Sequence, residues 1–161
     1  MNVSALFKNN TASTAGAAYI FGRATNSIIS QAHFVSNSAI VDGGALMMNR
    51  NGVGIGSDEA ESVVVSNCTF EDNHASRDGG AMVVAAGSVE INDTFFMNNT
   101  AENVGGAIMA NSGYSRALFP ISRCQFLYNR AVAGSAIFYI GSAVVEATMP
   151  FFDVTFTSNR P

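Results

Sequence analysis

Two aspartates stand at equivalent places in this sequence, one of them beside an arginine, and these are residue types that can act in general acid–base catalysis. Asp42 and Asp78 each stand immediately before a Gly-Gly pair, and Arg77 precedes the second aspartate. Hydrolysis and elimination need such carboxylates, either paired or beside a basic group. The same place before the next Gly-Gly pair holds Val104, which interrupts the series. We therefore predict no catalytic residues and keep catalysis by this trio as the alternative.

Thiol and imidazole groups are scarce and widely separated along the chain. Cys68, Cys124, His33 and His74 account for all of them. Metal sites draw their ligands from clusters of Cys, His and carboxylate residues with short spacings. No such spacing occurs here, so the sequence predicts no metal ion and no cofactor.

Residues 49–61 are predicted to be an inserted loop, rich in glycine and acidic residues. The stretch 52–56 alternates Gly with apolar residues but lacks the full spacing of a dinucleotide-binding loop. Asp58, Glu59 and Glu61 follow it and offer the oxygen ligands that Ca²⁺ takes. A solvated acidic loop is the favoured interpretation, with a calcium site as the alternative.

Asn-x-Ser/Thr sequons, which accept N-glycans in secreted proteins, occur five times. They begin at Asn2, Asn9, Asn67, Asn92 and Asn98. Chance would give about two or three in a chain of this composition. The sequons favour a secreted eukaryotic protein that carries glycans.

The composition excludes several classes of protein. The chain has 161 residues, of which 48% are hydrophobic and 12% charged, with a net charge of −4. A nucleic-acid partner is not expected, because binding phosphates requires a basic face. A membrane span is not expected either, since the most apolar stretch, residues 131–152, is broken by Gly134, Gly141, Glu146 and Pro150.

A repeat organises the whole chain around Phe-x-x-Asn. The phenylalanines are Phe7, Phe34, Phe70, Phe96, Phe126 and Phe156, and the asparagines are Asn10, Asn37, Asn73, Asn99, Asn129 and Asn159. Successive phenylalanines are 27, 36, 26, 30 and 30 residues apart. The motif itself is almost constant in length, and the longest repeat contains the 49–61 loop. Length changes confined to one corner are typical of a solenoid.

Each Phe-x-x-Asn motif is followed by a pair of small residues and then by alanine. We align the first copy as Gly16-Ala17-Ala18 and the fifth as Gly134-Ser135-Ala136. The glycines expected at the corners are Gly16, Gly43, Gly44, Gly79, Gly80, Gly105, Gly106 and Gly134. Glycine permits positive φ at a tight corner, and a following alanine fits a narrow interior.

Short apolar runs bounded by glycine predict buried strands of parallel sheets, and no segment has a sustained helical period. A period near 26 to 30 residues with two or three short strands per turn fits one fold. The sequence predicts an all-β, single-stranded right-handed parallel β-helix of five to six coils. The coils would stack about 4.8 Å apart into a rod roughly 25–30 Å long.

Stacked coils give the repeated residues structural roles. The phenylalanines would form an internal aromatic stack, and the asparagines an amide ladder in which each side chain bonds the neighbouring coils. Cys68 and Cys124 would lie two coils apart, about 9.6 Å on the strand spacing, which is beyond the reach of a disulfide. We predict two buried free thiols.

The tetrads Gly43-Gly44-Ala45-Leu46, Gly79-Gly80-Ala81-Met82 and Gly105-Gly106-Ala107-Ile108, together with Phe-x-x-Asn, give the chain a family resemblance. It resembles the repeats of the polymorphic outer membrane proteins of chlamydiae, and related repeats occur in surface proteins of eukaryotic microbes. The resemblance covers Phe7 to Asn159, and the first and fifth copies depart from it. It implies secreted β-helical passenger domains that act in adhesion.

The strand after each small pair is apolar at successive positions, so both of its faces are apolar. Alternation sends every second side chain outward, which predicts an apolar stripe on the outside. The predicted interface residues are Tyr19, Phe21, Leu46, Met48, Met82, Val84, Ile108, Ile137 and Tyr139. We expect this face to pack against another subunit, further repeats of the same chain or a covering loop.

These features favour a non-catalytic structural or interaction segment of an extracellular or cell-surface assembly, such as an appendage, a wall layer or an adhesin stalk. Both ends of the sequence fall inside a repeat without a polar cap, so we expect residues 1–161 to be a β-helical segment of a longer chain. The alternative is a polysaccharide lyase or hydrolase, since such enzymes share this fold. An ice-binding face is disfavoured, because the nine threonines do not align.

Overall fold

The protein is a parallel β-solenoid. The computed structural model describes residues 5–21, 27–49, 62–85, 88–111, 118–141 and 149–161, and these form four parallel sheets along the solenoid axis. The sheets contain six, four, five and five strands. Each pass of the chain adds one strand to a sheet, so the six-stranded sheet corresponds to five coils and the opening of a sixth. The predicted β-helix is confirmed.

The first two sheets hold the Phe-x-x-Asn motif. The strands of the first sheet are Ala5–Lys8, Ala32–Val35, Thr69–Glu71, Phe95–Met97, Gln125–Leu127 and Thr155–Thr157. The strands of the second sheet are Thr11–Ala12, Ser38–Ala39, His74–Ala75 and Thr100–Ala101.

The last two sheets complete each coil. The strands of the third sheet are Ala18–Phe21, Leu46–Asn49, Met82–Ala85, Ile108–Asn111 and Ile137–Ile140. The strands of the fourth sheet are Ser27–Ser30, Ser62–Ser66, Ser88–Asn92, Ile121–Ser122 and Phe151–Phe152.

The register of the sheets places like residues above one another. Phe34 pairs with Phe70, and Phe70 with Phe96, although these residues are 36 and 26 positions apart in the chain. Because each strand exposes alternate side chains to opposite faces, an in-register repeat sends the same position into the core in every coil. The strands therefore share one interior instead of forming separate clusters.

The core runs along the axis as one continuous cluster. The fourth sheet contributes Val65, Ile91 and Ile121, each at most 1% exposed. Burying such a side chain stabilises a fold by about 1.5–3 kcal/mol relative to leaving it in water. Repetition of that contribution in each coil stabilises the stack of coils.

Two bends in each coil use the left-handed region at residues other than glycine. Three positions before each stacked Phe lie Gln31, Asn67, Asp93, Arg123 and Asp153, all with φ between 50° and 54°. Two positions after each stacked Phe lie Asn9, Ser36, Asp72, Asn98, Tyr128 and Ser158, with φ between 53° and 57°. This conformation costs roughly 1–2 kcal/mol for an ordinary L-residue, and Asn and Asp tolerate it best. Regular stacking at both bends offsets that cost.

The glycine corners differ from the prediction in the first coil. Ala15, not Gly16, occupies the left-handed position there, with φ 54°, and its backbone N–H bonds Asp42 O at 3.0 Å. In the next coil the N–H of Gly43, with φ 66°, makes the equivalent bond to Asp78 O at 2.9 Å. The alignment Gly16-Ala17-Ala18 was therefore wrong by one residue, because an alanine can take the conformation that we assigned to glycine.

The second glycine of each pair has a different role. A Cβ added to Gly80 would lie 2.2 Å from the carbonyl oxygen of Gly106, one coil further along. A Cβ on Gly44 would lie 1.9 Å from Gly80 O. Here glycine is required by the close approach of neighbouring backbones, whereas at the first position glycine is favoured by the positive φ, which Ala15 also adopts.

Candidate functional site

The asparagines form a hydrogen-bonded ladder through the interior of the bend that follows the first sheet. Asn99 Oδ1 accepts from both the backbone N and Nδ2 of Asn73, at 3.1 and 2.9 Å. Asn99 Nδ2 donates to Phe70 O at 2.9 Å and to Asn129 Oδ1 at 3.0 Å. Asn37, Asn73, Asn99 and Asn129 are at most 1% exposed. Each inner amide uses its full bonding capacity, so burial leaves no unpaired group.

The phenylalanines form a second column beside the amides. Ring centroids from Phe7 to Phe156 are 4.8, 4.6, 5.0, 4.8 and 5.0 Å apart in successive coils. The planes of neighbouring rings are within 15° of parallel. Rings at the strand spacing touch face to face with an offset, a favourable aromatic arrangement. The phenylalanines in the middle of the column are buried, whereas Phe156 at its end is 48% exposed.

Asp42, Asp78 and Arg77, the trio with catalytic potential, form an ion-pair network between coils. Arg77 Nε donates to Asp42 Oδ1 at 2.8 Å while Nη2 bonds Oδ2, and Arg77 Nε lies 3.5 Å from Asp78 Oδ2. Asn103 Nδ2 donates to Asp78 Oδ1 at 2.8 Å. The hydrogen bonds that Arg77 donates to the Asp42 carboxylate raise the pKa of the guanidinium. One arginine thus bridges two acids, and its bonds to Asp42 link one coil to the next.

Most of the predicted interface lies in the core. Leu46, Met48, Met82, Val84 and Ile108 are at most 4% exposed and belong to the central cluster. Their prediction as outer residues was wrong, because the corner preceding the third sheet directs the first and third residues of each strand inward.

The other predicted interface residues divide into two groups. Ile137 and Tyr139 occupy the same inward columns in the fifth coil and are partly buried against the core. Tyr19 and Phe21 point outward, with 48% and 61% exposure, and their rings are 5.9 Å apart. These two side chains are the part of the predicted interface that is accessible.

The outer column of the third sheet is apolar in every coil. Its members are Tyr19, Met47, Val83, Met109 and Phe138, in register along the axis. Met47 and Val83 are only 8% and 3% exposed and pack with Ala15. A Cβ on Gly79 would lie 2.4 Å from Val83 Cγ2, so the glycine corner folds against this column. The exposed part of the stripe is narrower than the sequence predicts.

The cysteines occupy one inward column. Cys68 and Cys124 are free and 1% exposed, as predicted, and Thr94 lies between them in the register. Cys68 N donates to Thr94 Oγ1 at 3.4 Å, and that hydroxyl donates to Asn92 O at 2.7 Å. Burial raises the pKa of both thiols, that of Cys124 to about 11, so both stay protonated and unreactive at neutral pH.

The sequons differ in accessibility. Asn9, Asn67 and Asn98 are exposed at left-handed bends. Asn92 is half-buried, donates from Nδ2 to Glu90 Oε1 at 2.7 Å and accepts from Ser122 Oγ at 2.6 Å. Asn2 lies outside the described residues. Three of the five candidate asparagines therefore have room for a glycan in the folded protein.

Histidines, cysteines and acidic side chains form no metal-binding group in the described segments. His33 is exposed on the first sheet, and His74 Nε2 lies 3.6 Å from Glu102 Oε1. Within the described residues, no three His, Cys, Asp or Glu side chains are placed to hold a metal ion. No helix in that part of the chain is long and apolar enough to cross a membrane. The inserted loop, including the alternative calcium ligands, lies outside the described residues from position 50 to 61.

Arg130 and Arg160 are surface neighbours that sequence analysis missed. A parallel bridge pairs them in register, although 30 positions separate them in the chain. Read one by one, the arginines looked scattered. Aligning the residue after each repeated Asn shows Arg in both of the last two copies, and this was the available signal.

The fold and its internal ladders define a right-handed parallel β-helix. The sequence model described as right handed beta helix region matches residues 2–161, and the chain belongs to this family. The chain is similar to metabotropic glutamate receptor-like protein R of Dictyostelium discoideum, with 27% identity over 135 residues. That match covers 83% of this chain and 8% of the relative's length. No solved structure matches the chain significantly.

Proposed function

We propose that this β-helix is a non-catalytic structural segment of an extracellular or cell-surface protein, joined to further repeats or to other subunits. The observation that carries the proposal is the unbroken amide ladder. Asn37, Asn73, Asn99 and Asn129 are buried and saturated with bonds to neighbouring coils. Polar side chains used in this way hold coils in register and leave no reactive group, which suits a rigid spacer.

The surface location has three separate supports. The similar Dictyostelium protein is named receptor-like. The Phe-x-x-Asn and Gly-Gly-Ala motifs resemble the repeats of secreted chlamydial passenger domains. Asn9 and Asn67 are exposed sequons at bends, where glycans do not disturb the core.

Lateral packing in the assembly uses the accessible end of the third sheet. Tyr19 and Phe21 present two neighbouring aromatic rings to solvent. Aromatic residues are enriched in the buried centre of protein interfaces, where a few residues provide most of the binding energy. Replacing both with serine should abolish self-association or partner binding in sedimentation experiments. Ile28→Ser is the matched control, because Ile28 is 68% exposed on the fourth sheet. Equal losses in both variants would refute this surface.

Expression behind a cleavable secretion signal in a eukaryotic host tests the location. The segment should reach the medium folded, and N-glycosidase should lower its mass in steps that Asn9→Gln and Asn67→Gln remove singly. Retention of a misfolded chain, or secretion without glycans, would contradict an extracellular origin.

Incubation with acidic and neutral polysaccharides, followed by measurement of reducing ends and unsaturated products, tests the absence of catalysis. We expect no release above buffer. Release that Asp42→Asn abolishes would establish the polysaccharide-active alternative, since that change removes the acid bonded to Arg77.

A further inference from the structure

A pair of arginines extends the outer column of the second sheet into the last coils. Arg130 bridges to Arg160 on one side and to Thr100 on the other. Neighbouring strands are about 4.8 Å apart, so the two arginine side chains start side by side. Both are exposed on the surface.

This pairing differs from the other arginines in the described segments. Arg77 bonds Asp42, and Arg123 Nε donates to Asp93 Oδ1 at 2.7 Å, each across coils. Arg130 and Arg160 form no ion pair with a described carboxylate. Like charges at opposed positions of a sheet repel. The surface therefore holds two positive charges that an anion from outside the chain would neutralise.

The arginines belong to a cleft of mixed character. Asn98, Tyr128 and Pro161 line it together with Arg130 and Arg160, and its volume is about 500 Å³. Tyr128 adopts the left-handed bend, with φ 57°, and is 51% exposed. Its ring offers a flat apolar surface with a polar tip. The Asn98 amide provides a hydrogen-bond donor and an acceptor.

We propose that this cleft binds the acidic group of a saccharide, either a uronate carboxylate or a sulfate ester. The guanidinium groups bind the oxyanion, because two planar donor forks match its oxygens. The Tyr128 ring packs against the sugar ring, and Asn98 bonds its hydroxyl groups. This gives the segment a ligand in addition to its proposed scaffold role, and that role stands whatever the outcome here.

Calorimetric titration of protein made in bacteria, and so free of N-glycans, tests the proposal. The probes are tetragalacturonate, a heparin-type sulfated tetrasaccharide, neutral galactotetraose and sodium sulfate. We expect binding of at least one acidic saccharide that weakens with added salt. Arg130→Gln should lower its affinity about tenfold, and the double change with Arg160→Gln about a hundredfold, as expected for loss of charge-assisted hydrogen bonds.

Two control variants distinguish binding at this cleft from nonspecific electrostatic attraction of an anion to the protein. Arg123→Gln removes the same charge from a guanidinium that already bonds Asp93, so it should change affinity less than twofold. Tyr128→Ala should weaken the saccharide but not sulfate. Failure of both acidic saccharides to bind, an equal loss in Arg123→Gln, or sulfate binding as tightly as the saccharides would each overturn the proposal. Circular dichroism verifies that these variants fold.

Discussion

Replacement of Asn99 by alanine measures how much the amide ladder stabilises the fold. The change removes all four side-chain bonds of this fully buried residue. It leaves two buried donors of Asn73 unpaired, the backbone N–H and one Nδ2 hydrogen, and it removes one bond from the carbonyl oxygen of Phe70. Asn129 Oδ1 keeps a bond from the Asn99 backbone N, at 3.0 Å.

The magnitude follows from this count. An unpaired buried polar group costs about 1–3 kcal/mol, and water that enters the cavity recovers part of that. We expect Asn99→Ala to lower the free energy of unfolding by about 2–5 kcal/mol, a large part of the 5–15 kcal/mol typical of a domain. Asn10→Ala is the control at the exposed end of the same ladder, where the change removes the bond from Asn10 Nδ2 to Asn37 Oδ1 and leaves the bond from the Asn10 backbone N. It should cost about 1 kcal/mol or less.

Urea denaturation followed by circular dichroism gives both values. Equal stabilities of the two variants, to within about 0.5 kcal/mol, would refute the reasoning, since buried and exposed rungs would then be equivalent. Asn99→Asp adds a pH test. The introduced carboxyl would face Phe70 O and Asn129 Oδ1, so burial and these oxygens raise its folded pKa. Its destabilisation should therefore be smallest at low pH and grow as pH rises through that folded pKa.

Three further predictions concern backbone contact, thiols and glycans. Gly80→Ala should cost at least about 3 kcal/mol, because the new Cβ meets Gly106 O at 2.2 Å, whereas Gly141→Ala, whose nearest atom is 3.4 Å away, should cost under about 0.5 kcal/mol in the same urea assay. Both thiols should react with a disulfide reagent only after denaturation. Fast labelling of the native protein would contradict this expectation. Burial raises the Cys124 pKa from 9.0 to about 11. The buried neutral thiol therefore contributes its full stability below pH 9, and that contribution is lost as pH rises towards 11. In a secreting host, Asn67→Gln should remove one glycan in mass spectrometry and Asn92→Gln none.

The interior of the fold was predictable because identical residue types recur where they stack. Phe70 and Phe96 are one position in two coils, and a chain cannot repeat a bulky ring at such intervals by accident. Cys68 and Cys124 followed from the same register, with Thr94 between them. Periodicity reports which positions are equivalent, so it identifies columns without three-dimensional information.

The sequence did not predict which side chains point inward after each corner. Whether Leu46 or Met47 points inward depends on the backbone path through the glycine pair, and both residues are apolar. Ala15 takes a positive φ that we had expected only of glycine. The alignment of the first repeat was therefore shifted by one residue. The arginine pair joins residues from different coils, so it becomes visible only when the copies are superimposed.

Contacts between side-chain amides along the axis test the stacked register most directly. At 16.8 kDa the protein suits solution NMR. Nuclear Overhauser effects should join the Nδ2 protons of Asn73 to those of Asn99, and those of Asn99 to Asn129, with slow solvent exchange and no contact between Asn73 and Asn129. Absence of the neighbouring contacts, or exchange as fast as at a surface asparagine, would contradict the account.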